Sequence, residues 1–249
     1  MLPKWFTYNA EALEQMKAFA LAGMVFDLVL TDPPYGTTAC KWDSIIDLPS
    51  MWYWLRRITR PTTPMIFTAS QPFTSKLIMS NVDDYKFNMV WQKPQGVDPF
   101  MAKRRPLNDI EDIVVFYQKQ PVYNPQFTAG SPYVVHRDKE ARVMEVNGQT
   151  MKPTTTVNTG TRYPKRVLQF NQERGMHPTQ KPVDLMSYLI RTWTDPGAAV
   201  LDFTMGSGTT GVAAVVAGRD FHGIELAYDY CTQASIRIQE AWNERYNQE

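Results

Sequence analysis

Thr31-Asp32-Pro33-Pro34-Tyr35-Gly36 brings together residue types that could handle a planar amine. Prolines at 33 and 34 remove two backbone donors and stiffen the segment, leaving carbonyl oxygens to accept hydrogen bonds. The Asp32 carboxylate and the Pro33 carbonyl then form a rigid acceptor cluster with the Tyr35 ring just beyond. Two acceptors can receive the two N–H groups of an exocyclic amine while the ring stacks on its face. The same residues also make a plain proline turn capped by an acid, so the segment alone leaves both readings open.

A second segment, Phe203-Thr204-Met205-Gly206-Ser207-Gly208-Thr209-Thr210-Gly211, follows the apolar run Ala199-Val200-Leu201-Asp202. Glycines here let the chain turn tightly from strand to helix and let a ligand touch backbone. Gly206, Gly208 and Gly211 have dinucleotide-fingerprint spacing, and Glu225 ends the following strand where a ribose-binding acid belongs. Two cofactor classes fit. A nicotinamide dinucleotide brings a pyrophosphate, beside which Asp202 would be poorly placed. S-adenosylmethionine brings a sulfonium and an ammonium, beside which Asp202 is attractive. The turn leans toward S-adenosylmethionine.

The elements that must position these segments alternate. Helices are expected at 9–20, with Asn9 as N-cap, and at 48–58, 72–79, 182–193, 209–217 and 228–246. Strands are expected at 25–30, 64–68, 87–91, 110–117, 166–170, 198–203 and 221–224. Such alternation at both ends implies an α/β fold with a doubly wound, mostly parallel sheet. Asp32 then sits at the carboxyl end of a buried parallel strand, where open α/β sheets place their ligands. Between Gln118 and Thr161 the periodicity fails, and so long an irregular stretch inside a compact domain points to function. We read 1–249 as a single domain with 118–161 inserted.

The 249 residues are 43% hydrophobic and 20% charged, which excludes intrinsic disorder for most of the chain. No apolar stretch is long enough for a membrane span, and the N-terminus lacks the layout of a secretion signal. Two cysteines, Cys40 and Cys231, make neither a disulfide framework nor a four-cysteine zinc site, so no metal is expected and the expected compartment is the reducing cytoplasm. The net charge is +1, but residues 130–181 carry nine basic and four acidic residues, whereas residues 182–249 carry four basic and nine acidic. A basic middle can grip phosphates locally even in a near-neutral protein.

Taken together, the two segments resemble the amino-group DNA methyltransferases, in the subgroup whose catalytic motif precedes the cofactor motif. Further matches follow in that subgroup's order: Val90-Trp91-Gln92-Lys93, Arg105-Pro106 with Glu111-Asp112-Ile113-Val114-Val115-Phe116, and Tyr163-Pro164 leading to Val167-Leu168-Gln169-Phe170. The most specific are His177-Pro178-Thr179-Gln180-Lys181-Pro182, Val200-Leu201-Asp202 and Gly206-Ser207-Gly208-Thr209-Thr210. The resemblance covers about 25–117 and 162–240. One departure stands out: the family usually has Asp-Pro-Phe before the glycine turn, whereas Asp202-Phe203-Thr204 shifts the aromatic by one.

The resemblance implies a Rossmann-like methyltransferase fold, S-adenosylmethionine as cofactor and double-stranded DNA as partner. It implies that Asp32, Pro33, Pro34 and Tyr35 are catalytic and act on a flipped-out base. Cofactor residues would be Asp32, His177, Thr179, Lys181, Asp202, Phe203, Thr204, Gly206, Ser207, Gly208, Thr209, Thr210 and Glu225. Asp at 32, where cytosine-modifying members usually carry Ser, favours the 6-amino group of adenine. The inserted segment becomes the natural target reader, with Arg137, Lys139, Arg142 and Lys152 as DNA contacts and Lys103, Arg104 and Arg105 as a second basic cluster. An insert of this size suits a short recognition sequence or a homodimer. The competing readings are the same reaction on the 4-amino group of cytosine, RNA as substrate, a DNA-binding relative without turnover, and a nicotinamide-dependent oxidoreductase.

Overall fold

The apolar run before Asp32 forms one of the central strands of an eight-stranded sheet in the computed structural model, which describes residues 2–36, 44–97, 99–136, 142–143, 150–151, 154–173 and 180–247. In chain order the first half comprises β1 (Trp5–Asn9), α1 (Ala12–Leu21), β2 (Leu28–Thr31), α2 (Leu48–Leu55), β3 (Met65–Ala69), α3 (Phe73–Met79), β4 (Tyr85–Val97) and β5 (Asn108–Phe116). Six short strands follow: β6 (Thr128–Ala129), β7 (Tyr133–His136), β8 (Arg142–Val143), β9 (Thr150–Met151), β10 (Thr155–Asn158) and β11 (Thr161–Arg162). The second half runs β12 (Val167–Gln169), α4 (Val183–Trp193), β13 (Ala199–Asp202), α5 (Thr209–Val216), β14 (Asp220–Glu225) and α6 (Tyr228–Tyr246).

The main sheet has the order β1-β14-β13-β2-β3-β5-β4-β12. Every neighbouring pair is parallel except β5, which runs antiparallel to both β3 and β4. The crossover from β2 to β3 runs one way along the sheet and that from β13 to β14 runs the other. Their divergence opens a crevice at the carboxyl ends of β2 and β13, the switch point where doubly wound sheets take ligands. Both chemistry-bearing segments begin there, since β2 ends at Thr31 and β13 at Asp202.

Alternation along the strands builds a core on each face of the sheet. Leu28 and Leu30 point to the side covered by α4, α5 and α6, where they join Leu185, Leu189, Ala214 and Ile238. Val29 points the other way, to Met16, Trp52, Leu55 and Phe73 on α1, α2 and α3. Three helices on each face make the three-layer α/β architecture that the alternation predicts. Among the described residues no helix is long and apolar enough to cross a membrane.

Two local expectations are corrected. Asn9 is not the N-cap of α1. It ends an edge strand, β1, that the sequence reading did not place, and its amide donates to the carbonyls of Glu225 and Leu226. The cap is Glu11, whose carboxylate accepts from the backbone N–H of Glu14 at 2.9 Å. The stretch read as irregular is also not structureless. Within Pro125–Lys165, which forms its own compact unit, β6 pairs with β11, β7 with β10 and β8 with β9, all antiparallel, as one interrupted hairpin. Residues 118–124 stay on the main unit: the N–H groups of Gln118 and Lys119 bond to the Pro61 carbonyl, and that of Asn124 bonds to Thr192 O at 2.7 Å.

The glycine turn has a steric origin. Gly208 has φ +81°, and a Cβ there would lie 2.8 Å from Cβ of Ala234 on α6. Only glycine allows both the left-handed turn and the close approach of α5 to α6. Gly197 also has a positive φ, +84°, but faces open space. Gly197→Ala is therefore expected to cost roughly 1 kcal/mol in a urea titration, and Gly208→Ala roughly 2–3 kcal/mol. Equal losses at the two positions would refute the close-approach explanation.

Candidate active site

Thr31, the last residue of β2, fastens the two segments together. Its hydroxyl donates to Asp202 Oδ1 at 2.8 Å and lies 2.7 Å from the Thr204 hydroxyl, which must therefore donate to it. The backbone N–H of Thr204 donates to the same Asp202 oxygen at 3.1 Å. Asp202 is 2% exposed, and burial lifts its carboxyl from 3.8 to about 6, against the lowering effect of hydrogen bonds from Thr210, Thr31 and Thr204. On the far side of the turn, Glu225 Oε2 accepts the N–H of Gly206 at 3.0 Å and Oε1 accepts that of Ala227 at 2.8 Å. Each oxygen of Glu225 keeps a lone pair for a ligand hydroxyl.

Asp32 is held by three donors. Tyr35 donates its hydroxyl to Oδ1 at 2.6 Å, Thr68 of β3 donates to the same oxygen, and the Lys181 ammonium donates to Oδ2 at 2.6 Å. A carboxylate offers about four acceptor sites, so one, on Oδ2, is left unused by the described residues. Burial works against the Asp32 charge, but Lys181, Thr68 and Tyr35 outweigh it and hold the carboxyl below its ordinary value. Burial and the Asp32 charge push the Tyr35 phenol well above its ordinary value, so it stays a donor. Behind Asp32 lies a row of buried charge. Lys181 is also 3.4 Å from Glu111 Oε2, and Glu111 Oε1 accepts from Lys93 at 2.9 Å. The Tyr35 ring stacks on Phe73 at 5.5 Å between centroids.

These groups face a cavity of about 570 Å³. Asp32, Pro33, Pro34 and Tyr35 line one part, and Asp202 to Ser207, Thr209, Thr210 and Glu225 to Ala227 another. Among the described residues six acids line it (Glu11, Asp32, Asp47, Glu111, Asp202 and Glu225) against a single base, Lys181. The volume is that of a site for a small molecule or cofactor.

Most of the residues singled out from sequence converge here, with differences. Lys181, expected beside a cofactor, lines the cavity and places its ammonium on Asp32. Phe203 lines the cavity, but it is 1% exposed and its ring meets Phe67 edge-on in the core. Gly208 does not line the cavity; it shapes the turn. His177 and Thr179 lie outside the described residues, as do Arg137, Lys139 and Lys152, and Arg142 is described by its backbone alone, paired with Met151. Lys103, Arg104 and Arg105 are exposed in the turn between β4 and β5. Sequence reasoning assigned no role to Thr31, Thr68, Lys93 or Glu111. A charged residue in an otherwise apolar strand, such as Glu111 before Ile113-Val114-Val115-Phe116, is the signal that could have found the last two.

Charge decides the cofactor class. A pyrophosphate would meet carboxylates on every side of this cavity, whereas a sulfonium and an ammonium meet opposite charge. With the doubly wound sheet, this makes the site that of an S-adenosylmethionine-dependent methyltransferase. The DNA methylase family of N6 and N4 amino methyltransferases matches residues 26–235, and the chain belongs to that family. It is similar to the Type II methyltransferase M1.MboII of Moraxella bovis, 25% identical over 90% of this chain and 95% of that one. Among solved structures it is similar to the M1.HpyAVI–S-adenosylmethionine complex, with 26% identity, TM-score 0.66 and coverage of 94% of this chain and 99% of that one. The cytosine-N4-specific PvuII DNA methyltransferase shares the fold at 16% identity and TM-score 0.66, over 100% of this chain and 95% of that one.

The raised Asp202 carboxyl gives a test of the site's electrostatics. Because the fold holds this proton more tightly than the unfolded chain, the group's stabilising contribution is full below pH about 4 and is lost as pH rises through about 6. The loss is on the order of 3 kcal/mol. Asp202→Asn should therefore gain on the wild type by that order between pH 4 and 6 in urea titrations of the cofactor-free protein. A difference that stays constant over this window would show that the carboxyl is not raised.

Proposed function

We propose that this DNA methyltransferase acts on the 6-amino group of adenine in a base flipped out of double-stranded DNA. The observation that carries the reading is Asp32 on the wall of the cavity that Asp202 and Glu225 also line, with one acceptor site on Oδ2 left unused by the described residues. That site accepts one amine hydrogen and the Pro33 carbonyl accepts the other, which localises a lone pair otherwise delocalised into the ring. Asp at position 32 supports adenine as the target. A base within the duplex cannot reach this cavity, so it must leave the stack. The exposed part of the Tyr35 ring, braced from behind by Phe73, is the surface on which it would stack.

S-adenosylmethionine supplies a methyl group made electrophilic by its sulfonium. Glu225 would take the ribose hydroxyls with its remaining lone pairs. Asp202 and the turn from Gly206 to Thr210 would take the amino acid end, with the ligand's ammonium drawing Asp202 into its charged form. Positioning and electrostatics would supply most of the rate. The Type II methyltransferase of Moraxella bovis further suggests that this chain is the modifying half of a restriction–modification pair.

We assign target reading to the unit Pro125–Lys165 and the basic residues within it. Replacing Arg137, Lys139, Arg142 and Lys152 by Ala should weaken DNA binding across all sequences and lower the salt slope by about 1 for each phosphate no longer neutralised, while S-adenosylhomocysteine affinity is unchanged. Unaltered DNA affinity would refute that assignment.

The reaction itself is tested by transferring labelled methyl from S-adenosylmethionine to unmethylated DNA and identifying the product by nucleoside mass spectrometry. N6-methyladenine is expected, and Asp32→Ala should reduce its formation by about 10³-fold or more. N4-methylcytosine would keep the fold and overturn the target base; labelling of RNA alone would overturn the substrate.

A further inference from the structure

We propose that Lys181 is the positioning residue of the catalytic carboxylate: clamped between Asp32 and Glu111, its ammonium holds the Asp32 carboxylate ionised and fixes which lone pair faces the target amine. This inference rests on the reading of Asp32 as amine acceptor.

Geometry carries the argument. The Lys181 side chain is 6% exposed and its Nζ lies 2.6 Å from Asp32 Oδ2 and 3.4 Å from Glu111 Oε2. Glu111 Oε2 is buried and has no hydrogen-bond partner, so Lys181 is its counter-charge. Glu111 is anchored in turn by Lys93, whose side chain is 8% exposed. Two anions and two cations thus form a neutral row across β4, β5, the segment before α4 and the segment after β2, its lysines buried and its Asp32 end open to the cavity. The backbone around Lys181 is fixed as well. Glu173 accepts the N–H of Val183 at 2.8 Å and the Gln180 side-chain amide at 3.3 Å, supplying the cap that α4 lacks.

The remaining charged or titratable groups facing Asp32 are Tyr35, which donates to Oδ1, and Asp202 across the cavity, whose charge opposes that of Asp32. Lys181 is therefore the only cation in contact with Asp32 among the described residues. A partly buried carboxylate stripped of its one cation takes up a proton more readily. Once protonated, Asp32 cannot accept the amine hydrogen as a carboxylate does.

The test is the pH dependence of kcat for adenine methylation in the full chain carrying Lys181→Met, Lys181→Arg or Glu111→Gln. Lys181→Met should lower kcat at neutral pH by roughly a hundredfold and move the acid limb to higher pH, so that the loss shrinks as pH rises. S-adenosylhomocysteine affinity should stay within about threefold of the wild type. Lys181→Arg should return the limb toward its original position. Glu111→Gln should leave the limb in place or lower, because it removes a negative charge and keeps the ammonium. If Lys181→Met does not fold, the last two variants decide alone, and an upward shift of the limb in Glu111→Gln overturns the proposal. A loss in Lys181→Met that is independent of pH, or that falls on cofactor affinity, also overturns it. Full turnover in Asp32→Ala would instead remove the reading of Asp32 itself. An inactive Asp32→Ala together with an unshifted limb in Lys181→Met would sink this inference alone.

Discussion

The parallel pairing of β13 with β2 is the constraint on which the site depends. Val200 lies opposite Leu28 and Leu201 opposite Val29, so strands separated by some 170 residues of chain end side by side. Because side chains alternate along a strand, a slip of one residue would reverse every core contact of Leu28, Val29 and Leu30. The register is thus fixed by packing on both faces of the sheet, and the chemistry inherits it. Thr31 and Asp202 come within hydrogen-bond distance only in this register, and their bond ties the Asp32–Tyr35 segment to the glycine turn.

On this scaffold the protein maintains an unfavourable electrostatic arrangement. Among the described residues six acids line the cavity with one base, and Asp202 is raised toward neutrality by its burial. Ion pairs with a buried partner, such as Lys181–Asp32 and Lys93–Glu111, seldom stabilise a fold relative to apolar replacements, because desolvation offsets their attraction. Their presence at the carboxyl ends of the strands, between cores built from Leu, Val, Ile and Phe, is therefore better explained by chemistry than by stability. An acid-lined cavity loses repulsion when a cationic ligand enters. By linkage the cofactor should stabilise the fold it enters.

What the sequence disclosed follows the range of each interaction. Asp32-Pro33-Pro34-Tyr35 and the Gly206–Thr210 turn were legible because their properties are local: proline stiffness, a left-handed glycine and an acid at a strand end. The alternation of strands and helices was legible for the same reason. Lys181 was placed on the cofactor side because nothing local couples it to Asp32, 149 residues away, and Thr68 could not be seen at all without the β2–β3 pairing. β1 escaped because it is a five-residue edge strand with only partial burial, so it carries little hydrophobic alternation. The hairpins between 128 and 162 escaped more completely. Their described residues are almost all exposed, and a strand that buries neither face leaves no period-two pattern to read.

That last failure has a functional logic. Every residue lining the cavity belongs to the unit formed by 1–124 and 166–249, so the reacting groups are all held by the doubly wound sheet and its two cores. The described residues of the unit Pro125–Lys165 form no comparable core; their order comes from short ladders and from contacts such as Arg162 against Asn158 and the Tyr133 ring. A catalytic carboxylate must be fixed to fractions of an ångström, which demands dense packing behind it. Under the proposed target-reading role, a surface that contacts nucleic acid relies instead on exposed charge and polar edges, and tolerates a thin scaffold. The two halves of the sequence problem divide along the same line: packing constrains a sequence into legible patterns, whereas recognition leaves it comparatively unpatterned.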